Sequence, residues 1–217
     1  MGRIQAINEH TITEPLTKLL CKAEELFAKQ GYTATTIRQI AGASKINGAL
    51  IIYHFGNKEA LYNLIFTIRM TDLANSMQQI EHSKKDIEKL DAFIGAYISH
   101  IEKYKNFHKL MLREYCLLSS FNTDKSIIRQ QILEILSFLK SIVTKLADHG
   151  PPLQTDITLF CINIILLMPR LILETEMEGN IIDILDDGRK DSAIGERIKK
   201  YFYSQFFGDQ NPFPNLT

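Results

Sequence analysis

Apolar side chains recur three and four residues apart along nearly the whole chain, and a chain patterned this way buries them together as a bundle of helices. Leu16, Leu19, Leu20, Ala23, Leu26 and Phe27 make the first stripe. Thr13 suits an N-cap, Pro15 sits in the first turn where its missing N–H costs little, and Gly31 is placed to end the helix. A short helix opened by Thr35 or Thr36 runs through Ile37, Ile40 and Ala41, and Ser44-Lys45-Ile46-Asn47 follows as a turn. The apolar run 49–55 contains the β-prone Ile51-Ile52-Tyr53. Nothing else in the chain reads as a strand to pair with it, and Asn47 is a good N-cap, so a third short helix is predicted. Asn57 caps a long helix to about Glu81, and further helices are predicted near 84–105, 107–119, 124–148, 155–175 and 191–207. His149-Gly150-Pro151-Pro152 is a clear connection, and the acid-rich stretch 174–191 reads as a surface loop. The expected fold class is all-α.

Composition narrows the functions open to such a bundle. The 217 residues hold 25 basic and 25 acidic side chains and are 45% hydrophobic, which is globular rather than disordered. The longest uncharged run, residues 157–169, is shorter than the ~18 apolar residues of a crossing helix. No apolar stretch with a cleavage site opens the chain, and Cys21, Cys116 and Cys161 are far apart in helical patterns. These features predict a cytoplasmic protein with reduced thiols, no membrane span and no metal site. The zero net charge is unevenly spread: residues 1–58 carry 7 basic and 4 acidic groups, and 26–58 have no acid at all. An acid-free segment suits a polyanion such as DNA.

Three short helices, the last two joined by a four-residue turn, make a helix-turn-helix, in which one helix braces across the DNA backbone and the next meets base edges in the major groove. Asn47, Gly48, Ala49 and Leu50 would open that reading helix. Asn is able to pair with adenine, a methyl such as that of Ala49 to pack on thymine, and small residues permit close approach. Glu25-Leu-Phe-Ala-Lys-Gln-Gly-Tyr-Thr-Ala-Thr-Thr-Ile-Arg-Gln-Ile-Ala41 and Gly48-Ala-Leu-Ile-Ile-Tyr-His-Phe-Gly-Asn-Lys-Glu-Ala-Leu61 resemble the TetR family of bacterial one-component repressors, over roughly residues 14–65. The resemblance implies a DNA-binding head over 13–56, preceded by an arm at 1–12 and followed by a ligand-binding and dimerisation body over 57–217. It also implies a homodimer on a palindromic DNA operator, released by a small-molecule effector.

Carried over by position, the resemblance places Thr35 or Thr36 at a phosphate, Tyr53 and His54 in a Tyr-His-Phe segment whose hydroxyl meets the backbone, and Lys58 at a phosphate. Phe27, Ile40, Ile46, Ile51 and Phe55 fall where the family packs its head. Arg38 and Lys45 add charge to the same surface. Lys45 stands where a glycine often takes a left-handed conformation, at a cost of about 1 kcal/mol. Ile52 replaces a frequent Tyr and removes a polar contact. Each residue has a plainer role open to it: N-cap for Asn47, solvated charge for Lys58 and Arg38, core packing for Tyr53, His54, Gly48 and Ala49. Arg3 lies in the arm.

The body offers less. Residues 157–173 are apolar nearly all round, and this helix with 191–207 is where the resemblance puts the dimer interface. Pro169 should kink the first of them and free a carbonyl. Pocket candidates are polar or aromatic groups on apolar helices: Tyr97, His100, Tyr104, His108, Met111, Tyr115, Asn163, Met168 and Arg170. His100, Tyr104 and His108 share a face only if their helix is continuous through Asn106, and two His so spaced are a weak metal signal. No cofactor is implied. The alternatives are a small helical enzyme and a DNA-binding protein of the same family that needs no effector. Against the enzyme, there is no nucleophile elbow, phosphate-binding glycine loop, HExxH or Cys/His cluster, and the adjacent Glu24 and Glu25 read as an exposed pair.

Overall fold

The computed structural model describes residues 14–81, 85–117, 126–149, 156–174 and 194–207. Among them are nine helices and no strand: α1 (Glu14–Ala34), α2 (Ile37–Ser44), α3 (Gly48–Phe55), α4 (Lys58–Glu81), α5 (Asp86–Lys103), α6 (Lys105–Leu117), α7 (Ser126–His149), α8 (Ile157–Glu174) and α9 (Ile194–Phe207). The all-α expectation holds, and the β-prone run at 49–55 is helical. The arm with Arg3, the Thr13 cap, the connection at 150–152, most of the acid-rich stretch and the side chain of Tyr115 lie outside the described residues.

The described residues form two compact units. The first takes the described residues of 14–71 with those of 106–128, and so includes α6 besides the segment 13–56 that the resemblance implies as the head. Its core shows why. Phe27 meets Tyr62 edge-on at 4.9 Å, Tyr62 meets Phe66 at 5.2 Å, and Phe66 meets Phe107 of α6 at 5.2 Å. Ile40, Ile51 and Phe55 are buried with them, while Ile46 is half-buried. Inside the span of α1, Gly31 is non-helical at φ 85°, ψ 169°, so the glycine does end the regular helix. The Arg113 guanidinium lies over it: a Cβ at Gly31 would sit 2.6 Å from an Arg113 terminal nitrogen.

Glu24 departs from the exposed pair read in the sequence. Glu25 is exposed and bonds Lys22 at 2.7 Å, whereas Glu24 is buried and accepts from Arg69 Nε at 2.8 Å. Burial raises the Glu24 pKa, against the opposing pull of Arg69 and of the Phe107 amide.

In the second unit α8 packs on α5 and α9. Pro169 lies inside α8 and cannot donate to the carbonyl of Ile165, four residues earlier. Tyr97 of α5, fully buried, donates its hydroxyl to that carbonyl at 2.9 Å. The freed acceptor anticipated at Pro169 is thus satisfied by a neighbouring helix rather than opened to a cavity. Tyr97→Phe is expected to cost about 1–2 kcal/mol, because a buried carbonyl loses its donor. In a Pro169→Ala background the new amide serves Ile165, so the same change should cost less than half as much in a urea-unfolding cycle. At the other end of α5, Asp91 accepts from Tyr203 Oη at 2.8 Å and pairs with Lys199 Nζ at 2.5 Å, tying α9 down.

By length and composition α8 is apolar enough to cross a membrane, with 18 residues of mean hydropathy 1.9. The sequence reading stopped at the uncharged run 157–169; the full window also takes in Arg170 and Glu174, which pair with each other at 2.8 Å. Phe160, Ile164, Ile165 and Met168 of this helix are core residues of the second unit.

Candidate nucleic-acid interface

The first unit builds its turn from local bonds. Thr36 caps α2: its hydroxyl accepts from the Gln39 amide at 3.2 Å, and its own amide donates to Gln39 Oε1 at 2.8 Å, closing a capping box. Gln30 Nε2 joins α1 to this cap, donating to Gln39 Oε1 and to Thr35 Oγ1, each at 3.2 Å. Thr35 itself is fully buried and gives its hydroxyl to the Gly31 carbonyl at 2.7 Å, so of the two threonines only Thr36 faces solvent.

Lys45 ends α2 in the left-handed conformation, φ 60°, ψ 32°, and donates its amide to the Ala41 carbonyl. The turn therefore keeps the geometry that favours glycine and carries a lysine there. Lys45→Gly is expected to raise stability by about 0.5–1 kcal/mol, seen as a rise of about 1–3 °C in Tm.

Asn47 caps α3, its Oδ1 accepting from the Ala49 amide at 2.8 Å, and its side chain is exposed. Ile51 and Phe55 turn into the core, which leaves Ala49, Leu50 and Tyr53 together on the opposite face. Tyr53 is 82% exposed, Leu50 47% and Ile52 43%. His54 is exposed beside Tyr53, ring edge to ring at 5.3 Å. Gly48 sits on the other side: a Cβ there would lie 3.7 Å from Ala41 Cβ and 3.8 Å from Ile37 Cγ2. It belongs to the contact between α2 and α3 rather than to the open face, and the space would accept a methyl.

Lys58 has partners within the protein. Its ammonium donates to the carbonyls of Tyr32 at 2.9 Å and Thr35 at 3.0 Å and lies 4.1 Å from the Tyr32 ring centre. Two of its three N–H bonds are committed to bracing the start of α4 against the end of α1. Lys58→Met is therefore expected to lower stability by about 1–2 kcal/mol, read by denaturant unfolding, with the salt dependence of any DNA binding nearly unchanged. The open cations of this surface are Arg38, in the first turn of α2, and Lys45.

A short helix bracing a second one whose far face is open, joined by a tight left-handed turn, is the geometry of a helix-turn-helix. Residues 19–65 match the family model for bacterial regulatory proteins of the tetR family. Over this segment the chain has a TetR-family DNA-binding head. This regulator is 27% identical to the HTH-type transcriptional regulator YerO of Bacillus subtilis, over 94% of its own length and 73% of that protein. It is 29% identical to the HTH-type transcriptional repressor KstR2 of Rhodococcus jostii, over 54% of its length and 63% of that protein. Its fold resembles that of AibR, solved with isovaleryl coenzyme A and operator DNA, at TM-score 0.60 and 20% identity over 74% of this chain and 84% of that one.

The residues named in the sequence as pocket candidates take the following places. Tyr97 and Met168 are core, and the Tyr97 hydroxyl is spent on Ile165. Asn163 is exposed, and Arg170 is exposed and paired with Glu174. His100 is buried against the Tyr104 ring at 4.8 Å, and Tyr104 gives its hydroxyl to Asp72. The helix is interrupted at Tyr104 (φ −123°, ψ 51°), so His108 and Met111 fall on α6, in the other unit, where both are buried. Burial pushes the Cys161 thiol up to about 11, which keeps it protonated and unsuited to nucleophilic or metal chemistry at neutral pH. The buried Glu24–Arg69 pair, the Tyr97–Ile165 bond and the Asp91 cluster were all missed in the sequence; only Pro169 left a local signal for any of them.

Proposed function

We propose that this regulator is a homodimeric repressor that binds a palindromic operator through α2 and α3 and is released by a small molecule held in the C-terminal helices. The open face of α3 carries this reading, with exposed Asn47, Ala49 and Tyr53 beside exposed Thr36, Arg38 and Lys45. In the groove Asn47 and Ala49 lie at base edges, while Thr36, Arg38, Lys45 and Tyr53, with His54 beside it, face phosphates. Thr35, Gly48 and Lys58 hold the head in shape instead. Dimerisation through α8 and α9 is supported by Leu159, 59% exposed, and Tyr201, 46% exposed, on these two helices. Repression is supported by the likeness to a KstR2 repressor, and an effector by the AibR fold, solved with isovaleryl coenzyme A. The regulator acts where its DNA is, in the cytoplasm.

Selection of binding sites from random duplexes with the full-length protein, followed by titration at two salt concentrations, tests the reading. A two-fold symmetric site with steep salt dependence is expected. A native mass of two chains, lost in Leu159→Asp/Tyr201→Asp, is expected alongside. Failure to enrich any duplex, with protein as purified and with protein refolded from denaturant to strip bound ligand, would overturn it.

A further inference from the structure

Resting on that reading of α3, we infer that the operator presents A·T pairs to this helix and that Ala49 and Leu50 read them through thymine methyl groups. Between Asn47 and Phe55 the chain runs Asn-Gly-Ala-Leu-Ile-Ile-Tyr-His-Phe. No side chain in it is a guanidinium, an ammonium, a carboxylate or a glutamine. A guanine is read in the major groove chiefly by a forked or charged donor on O6 and N7, and a cytosine by an acceptor on its N4–H₂. Beyond the Asn47 cap, the face centred on Ala49, Leu50 and Tyr53 has neither at its N-terminal half, where a reading helix meets base edges. Apolar side chains laid over a G·C pair would take those polar edges out of water and return nothing. The C5-methyl of thymine is the one major-groove feature an alanine methyl or a leucine end complements.

Exposure supports the assignment. Leu50 is nearly half exposed although it stands on a short helix whose other side is packed, and it adjoins Ala49. Asn47 contributes in the same sense. Its Oδ1 accepts the Ala49 amide, and the second lone pair and the amide N–H₂ remain to match N6–H and N7 of an adenine. His54 lies in the last turn of α3, away from that end. The open cations of this surface, Arg38 and Lys45, both lie outside α3, so a guanine preference in the half-site would fall outside the pairs under α3.

The test uses the selected operator and the full chain. Each thymine of the half-site is replaced in turn by deoxyuridine, which removes only the methyl. Loss of about threefold to fivefold in affinity is expected at one or two positions. At such a position a C·G pair should bind roughly tenfold or more weaker than T·A, and 5-methylcytosine should recover part of that loss. Leu50→Ala, a change at an exposed site, should remove the sensitivity to deoxyuridine at one of these positions, and Leu50→Met should retain it. A tight palindromic site with G·C pairs under α3, or with no response to deoxyuridine at any thymine, overturns this inference and leaves the repressor reading standing. Failure to select any duplex sinks both.

Discussion

Glu24→Ala is expected to lower the stability of the protein by about 3 kcal/mol, because it strands the Arg69 guanidinium beside a new void. Both side chains are largely buried and meet at 2.8 Å. Removing one partner of such a pair costs far more than the pair itself contributes. Glu24→Gln keeps an acceptor for Arg69 and for the Phe107 amide, so its loss should be nearer 1 kcal/mol. The pH dependence separates the two effects. Burial raises the Glu24 pKa, so the folded protein holds this proton more tightly than the unfolded chain does. The stability it contributes is complete below the ordinary carboxylate range and declines as pH rises through the raised value. The Gln variant has no such decline, so its deficit relative to wild type should shrink as pH rises above the ordinary carboxylate range. Denaturant midpoints for both proteins over that rise would show this, and a deficit that grows with pH would contradict it.

Gly31→Ala is expected to cost about 3 kcal/mol, close to the Glu24→Ala loss but by a different route. At φ 85° and ψ 169° the backbone is in a region that residues with a Cβ hardly visit. The added methyl also meets the Arg113 guanidinium at 2.6 Å. That group is the far end of a flexible side chain and is able to swing away, so backbone strain supplies most of the loss. Arg113→Ala should therefore restore little of it. Full rescue by Arg113→Ala, read by thermal unfolding of the single and double variants, would show that contact and not conformation governs the position.

What could be read from sequence was what depends on near neighbours. A cap at Thr35 or Thr36 and the Asn47 cap follow from a few consecutive residues, and the left-handed turn at Lys45 from the resemblance; the structure has the Thr36 and Asn47 caps and a left-handed Lys45. Helix spans followed from apolar spacing for the same reason. The Tyr97–Ile165 bond shows where that stops: Pro169 announces an orphaned acceptor, but the donor is on another helix and no local pattern names it. Glu24 and Glu25 look alike in the sequence, and only the position of Arg69, 45 residues on, distinguishes the buried one. Lys58 shows the same limit at the site. Its place in the motif suggested a phosphate, while the carbonyls of Tyr32 and Thr35, brought together by the end of α1, take the charge. The pocket candidates rested on helical spacing, which marks a face and says nothing of which faces meet.

Leu50, Ile52 and Tyr53 stand in water, whereas among the described residues most other large apolar side chains are buried. Any duplex that seats α3 in its groove must dehydrate them. Association should then carry a negative heat-capacity change, with a binding enthalpy that becomes more favourable on warming. Calorimetry at several temperatures would register that slope even on DNA of unrelated sequence, provided the helix enters the groove, and a purely phosphate-bound, unseated encounter would leave it near zero.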